Sequence, residues 1–212
     1  MKHIICRLSA VLGLLLLTSL AAHAQQKVPF TYSNTAATNL AVIIIGPDNA
    51  TPRGSMARVS FASVSNDLAT SVLKFYRTGA PKVIANASFA GTNRVTFSGT
   101  TGTDFAALSQ VLIVRRKSTT AGGADTWERM FSTANTATSV TFAIATSGAV
   151  RAGDEVYIAT AYVSILVGGA VAKEWDYQQP IYNGQIDRPV LVETLATALG
   201  KIPLLSGWWE KL

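Results

Sequence analysis

Histidine and cysteine are nearly absent from this chain of 212 residues: His3, His23 and Cys6 are the only ones, and all three lie near its start. That start has the layout of a secretory leader. Lys2 and Arg7 supply positive charge, Val11 to Leu20 is almost wholly apolar, and Ala22-His23-Ala24 is an A-x-A cleavage site. The sequence therefore predicts a leader over 1–24 and a mature chain from Gln25 with neither residue type. Cys6 sits too early to be a lipidated cysteine at the cut. Without cysteine no disulfide can close, although the expected compartment, periplasmic or extracellular, would permit one. Without histidine, Ser-His-Asp and Cys-His nucleophile arrangements are excluded, and so are the usual zinc sites.

Charge is also scarce, at 14% of residues. Loss of Lys2 and Arg7 with the leader lowers the formal charge from +6 to +4. The cations are scattered apart from Arg115-Arg116-Lys117, a triple that could touch an anionic polymer but is read first as strand-end charges that discourage edge pairing. No Gly-rich phosphate loop, dinucleotide fingerprint or nucleic-acid motif occurs, so neither a cofactor nor a nucleic acid is expected. No apolar run is long enough to cross a membrane as a helix; the leader run is too short and wrongly flanked. A transmembrane barrel is disfavoured because the chain is expected to end in a helix.

What the sequence does have is alternation, arranged in a repeat. Arg58 to Arg77 and Arg94 to Arg116 both read R-V-[ST]-F, a polar gap, D-[LF]-A, then V-L and an arginine. Val140-Thr141-Phe142, Asp154 and Val156-Tyr157-Ile158 give a weaker third echo. The unit is a strand, a polar connection and a second strand. Ala41 to Ile45 is a continuous β-branched run suited to a strand buried on both faces, and Gly46-Pro47-Asp48-Asn49 ends it with turn chemistry. Trp127, Arg129 and Phe131 share one face of a strand, with Glu128 and Met130 on the other. Gly168-Gly169 is a hairpin signal. Strands every 10 to 15 residues or so, with no helical period between them, predict an all-β, antiparallel β-sandwich, Ig-like or jelly-roll-like.

The expected domain organisation has four parts. An extended N-terminal arm and linker occupy 25–40, with Val28, Phe30 and Tyr32 alternating along the arm. The sandwich runs over 41–183. A C-terminal helix and apolar tail fill 186–212: Asp187 is placed as N-cap, Leu191, Leu195 and Leu199 recur every four residues, and Gly200 follows as the C′ glycine. Leu204, Leu205, Trp208 and Trp209 make the tail apolar and aromatic, the kind of surface that anchors interfaces.

Candidate sites are few. Glu174 and Asp176 share a strand face flanking Trp175, a spacing glycosidases can use, but alternation alone produces such pairs. Trp127, Trp175, Tyr177 and Tyr182 could build an aromatic platform for sugar rings, or fill the core. Asp48, Asp67, Asp104, Asp125 and Asp154 fall in loops, where they could face calcium but more simply make Asx-turns. Asn49-Ala50-Thr51 and Asn86-Ala87-Ser88 match the glycosylation acceptor pattern.

These features together predict a secreted, non-enzymatic structural or adhesive protein that self-associates at the cell surface or docks on another surface protein. The N-terminal arm and the apolar tail are the expected contact residues, unless both ends fold back on their own sandwich. A polysaccharide partner bound by exposed Trp and Tyr is the alternative.

Overall fold

Apolar–polar alternation becomes two antiparallel sheets in the computed structural model, which describes residues 27–33, 40–48, 51–65, 71–86, 93–167, 180–196 and 202–212. The smaller sheet has four strands in the order β1 (Lys27–Ser33), β13 (Ile202–Lys211), β3 (Ser55–Ser65) and β11 (Tyr182–Ile186). The larger begins with β2 (Leu40–Ile45), β12 (Val190–Ala196), β4 (Ser71–Thr78) and β10 (Glu155–Val167). It continues through β7 (Val111–Arg116), β8 (Thr126–Thr136), β9 (Ser139–Phe142) and β6 (Arg94–Thr96), while β5 (Lys82–Val83) pairs with β10. Every ladder is antiparallel. The single helical segment among the described residues is a 3-10 turn, Thr101–Asp104.

The core divides into three clusters because β-strands present side chains to both faces. Ile43 and Ile45 of β2, Leu73 and Phe75 of β4, and Val190 and Val192 of β12 meet Ala57, Val59, Leu205 and Trp209 from the smaller sheet. A second cluster joins Val95 and Phe97 to Leu112, Val114, Met130 and Phe142. The third lies on the opposite face of the larger sheet, where Tyr76, Ile113, Tyr157 and Leu191 bury against Ile44 and Trp127. β10 serves all three: Val156 and Ile158 pack in the second, and a register shift between Ala161 and Val163 turns its later residues to a different cluster. Tyr157 and Ala159 face the third cluster, whereas Val163 and Ile165 pack on the first.

The sequence repeat reappears as a packing unit. Val59 packs with Leu73 and Phe75 in one cluster, and Val95 and Phe97 pack with Leu112 and Val114 in another. The third echo brings Val140 and Phe142 to Val156.

The expected C-terminal helix is overturned. Val190–Ala196 is a strand in the larger sheet, flanked by β2 and β4, and Ile202–Lys211 is a strand between β1 and β3. Residues four apart share a face of a helix, but they also share a face of a strand, so Leu191 and Leu195 fitted both. Val190, Val192 and Thr194 are β-branched and favour the strand. Asp187 is no N-cap. It takes a left-handed backbone (φ 52°), and its carboxylate accepts the N–H groups of Gly54 and Ser55 at 2.8 and 3.2 Å. Aspartate tolerates that conformation better than most residues. Leu199, Gly200 and the Gly168-Gly169 hairpin lie outside the described residues.

Candidate functional site

The residues expected to mediate contacts in the arm and the tail converge at one place, because β1 and β13 pair with each other. β1 runs antiparallel to β13, from Lys27 opposite Glu210 to Ser33 opposite Leu204. Alternation then sorts the side chains. Val28, Phe30 and Tyr32 turn inward against the first cluster, beside Leu205 and Trp209, which is 2% exposed. Phe30 stands 5.6 Å from Tyr32 and edge-on to Trp209 at 6.3 Å between ring centroids. Burial pushes the Tyr32 phenol above its ordinary value, with a smaller push from Asp48.

Gly207 makes this fit possible. It lies opposite Phe30, where the register of β13 on β3 shifts. A Cβ there would come within 1.9 Å of the Arg58 carbonyl oxygen and 2.9 Å of the Phe30 ring. On the outward face Glu210 holds Arg58 Nε at 2.6 Å and Lys27 Nζ at 3.9 Å. Lys27 also caps the Trp208 ring at 4.8 Å. The Trp208 indole N–H is buried without a hydrogen-bond partner. Leu204 lies half-buried across from Ser33.

Trp127 belongs elsewhere. It packs in the third cluster, 6.0 Å from Tyr157, and its indole fills the space a Cβ at Gly46 would need. The groove beside it, about 550 Å³, is lined by Val42, Ile44, Asp125, Thr126 and Arg129. Tyr182 is buried, stacked on Phe75 at 4.7 Å, so it forms no platform. Trp175, Tyr177, Glu174 and Asp176 lie outside the described residues. The exposed aromatic that sequence reasoning missed is Tyr162, 54% exposed at the β10 register shift, with the Arg77 guanidinium 3.5 Å above its ring.

Arg115, Arg116 and Lys117 do not guard an edge. β7 is flanked by β10 and β8, and its cations are spent on neighbours. Arg115 bridges Asp125 at 2.6 Å and Glu155 at 3.0 Å, Lys117 meets Glu155 at 2.7 Å, and Arg116 meets Glu128 at 2.6 Å. Burial alone would raise the Glu155 carboxyl; hydrogen bonds from Lys117 and Tyr157, with Arg115 beside them, outweigh it and hold the group below its ordinary value. Burial and the Glu155 bond push Tyr157 upward. A second network centres on Glu193, which accepts from Tyr76 and from Arg129 at 2.5 and 2.6 Å. These networks could not be found from sequence, since each joins residues from distant strands.

Asp48, Asp125 and Asp154 act as turn builders, whereas Asp104 pairs with Lys82 and Asp67 lies outside the described residues. Asp48 accepts from Thr51 N–H at 2.9 Å, Asp125 from Ser118 N–H at 2.9 Å, and Asp154 from Lys117 and Arg151 N–H at 2.9 and 2.7 Å. Among the described residues no group of three or more His, Cys, Asp or Glu side chains gathers as a metal site. No described helix is long and apolar enough to cross a membrane. No protein-family model, curated protein or solved structure matches the chain.

Proposed function

We propose that the chain is an exported, non-enzymatic structural or adhesive protein, an Ig-like or jelly-roll-like β-sandwich that self-associates at the cell surface. The observation that carries this reading is the β1–β13 pair, in which β1 is an outer strand held to its sheet through β13 and seats Val28, Phe30 and Tyr32 beside Leu205 and Trp209. Edges of this kind are where sheets from separate chains join. The carboxylates support the non-enzymatic part. Glu155, Glu193 and Glu210 are each engaged by arginine, and Glu155 is pushed away from the pKa a general acid needs at neutral pH. Export rests on the leader, with cleavage after Ala24.

The exported chain should have an intact mass beginning at Gln25 and should sediment as an oligomer whose share grows with concentration. A product retaining His23 would remove the leader. A lone monomer at every concentration would remove self-association.

Carbohydrate binding is the second reading, favoured by the groove that sets Trp127 beside Asp125, Thr126 and Arg129. It predicts retention on a glycan array that Trp127→Ala abolishes while the circular dichroism spectrum is kept. An array without a single retained glycan would end it.

A further inference from the structure

We propose that β1 is an exchangeable strand, laid by one copy of the chain on β13 of a second copy. The inference rests on the self-association reading and gives it a mechanism. Among the described residues β1 has one ladder, with β13, and forms an outer strand of its sheet. The next strand, β2, belongs to the other sheet, at its far end from β6. Six residues join them, Asn34-Thr35-Ala36-Ala37-Thr38-Asn39, with no side chain larger than threonine or asparagine and nothing strongly apolar. Fully extended, such a linker reaches about 20 Å. β1 is thus held by one ladder, three inward side chains and the contacts of Lys27 with Glu210 and Trp208, all of them to its own sheet or the cluster beneath it, and it can leave without breaking any other described strand pair.

The acceptor is specific for this strand. Phe30 needs the gap at Gly207, Lys27 needs Glu210, and Val28 and Tyr32 need the strip beside Trp209 and Leu205. A second copy of β1 offers the same contacts in the same register, so the occupant is another copy of this chain. Exchange of an identical element repeats the contacts of the closed form and changes only the tether. Pro29 fits the role, because a residue without an N–H suits an outer strand and resists a further strand beyond it. Reciprocal exchange closes a dimer; serial exchange builds an open row.

Register provides the test. Thr31 and Ser206 are directly opposite, and both point away from the core, since their neighbours Phe30 and Leu205 point into it. Directly opposite Cβ atoms in an antiparallel pair lie about 4.5–5.5 Å apart, close to disulfide span. The full chain is expressed with its leader in a Cys6→Ser background, so introduced cysteines are the only thiols. One preparation carries Thr31→Cys and Ser206→Cys together. A second mixes two differently tagged chains with one cysteine each, unfolded and refolded together before oxidation.

The double variant should close its disulfide, within one chain or between chains. The mixture should yield a covalent dimer carrying both tags. The off-register mixture, Thr31→Cys with Lys211→Cys, should lose that product. A mixture that stays unlinked while the double variant closes within single chains overturns exchange. If sedimentation still finds oligomers then, self-association stands on another surface. If the chain is monomeric throughout, both ideas fall. Equal linkage in and out of register would also overturn exchange, because it reports collision rather than pairing.

Discussion

Glu193 is a carboxylate only 5% exposed, in an inner strand of the larger sheet between β2 and β4, and Arg129 and Tyr76 keep it there. Replacing both ion-pair partners by apolar groups costs little, but removing one leaves a charge stranded away from water. Arg129→Met should therefore lower the unfolding free energy by about 3–5 kcal/mol. The Arg129→Met/Glu193→Met double variant should lose less than the sum of the two singles. Urea titration of the four proteins decides it; an Arg129→Met variant as stable as the parent would mean water already reaches Glu193. Glu155 makes a different prediction, about pH. Its carboxyl is held below the unfolded value by Lys117, Tyr157 and Arg115, despite burial. The stability it adds is complete above the unfolded carboxylate value, about 4.3, and disappears as pH falls through the folded one. Glu155→Gln should flatten the acid limb of a stability–pH curve in that window. A curve with the parent's slope below pH 4 would contradict the network.

Gly207 shows what a single strand position can demand. It is the point where β13 bends out of register with β3 and where Phe30 lies across the backbone. Gly207→Ala should cost at least about 1–3 kcal/mol, the range for forcing atoms into filled space, and should loosen β1 from β13. Hydrogen exchange would show the loosening as faster exchange at β1 amides; unchanged rates there would sink the idea. Most strands were legible because alternation is a local signal: β3, β4, β7, β8 and β10 lie near the runs where it occurs. β12 was misread because a four-residue leucine spacing satisfies a strand as well as a helix, and the β-branched residues between the leucines were the deciding signal. The ion-pair networks were illegible for another reason. Arg115 and Glu155 are forty residues apart and meet only because β7 and β10 pair in one register. Sequence shows which residues alternate, but which strand lies beside which is set by global packing. The contact residues at the ends were legible one by one, as apolar alternation at Val28, Phe30 and Tyr32. That they pair with Leu204 to Glu210 was not.

At the scale of the whole molecule, the two ends are unequal although they lie side by side. β13 is an inner strand, paired along ten residues with β3 and along seven with β1, and it buries Leu205 and Trp209 in the first cluster. β1 covers that cluster from the outside, with its three inward side chains only partly buried. Burying a large apolar side chain fully is worth about 1.5–3 kcal/mol, so partial burial of three amounts to a few. Domains of ordinary stability, about 5–15 kcal/mol, survive that loss. Loss of β13 is more severe, because it splits β1 and β3 apart and opens the core at Leu205 and Trp209. A chain lacking residues 25–33 should keep its β-sheet circular dichroism and unfold at lower urea, whereas one lacking 202–212 should not fold. A free peptide spanning Lys27 to Ser33 should raise the urea midpoint of the first variant, the gain growing with the logarithm of peptide concentration above its Kd, since binding to the native state alone stabilises it. The same peptide with Phe30→Asp should have no effect, because a charge would be set against Trp209. Equal behaviour of the two truncations, or a peptide effect blind to Phe30, would show that β1 does not occupy a built acceptor on β13.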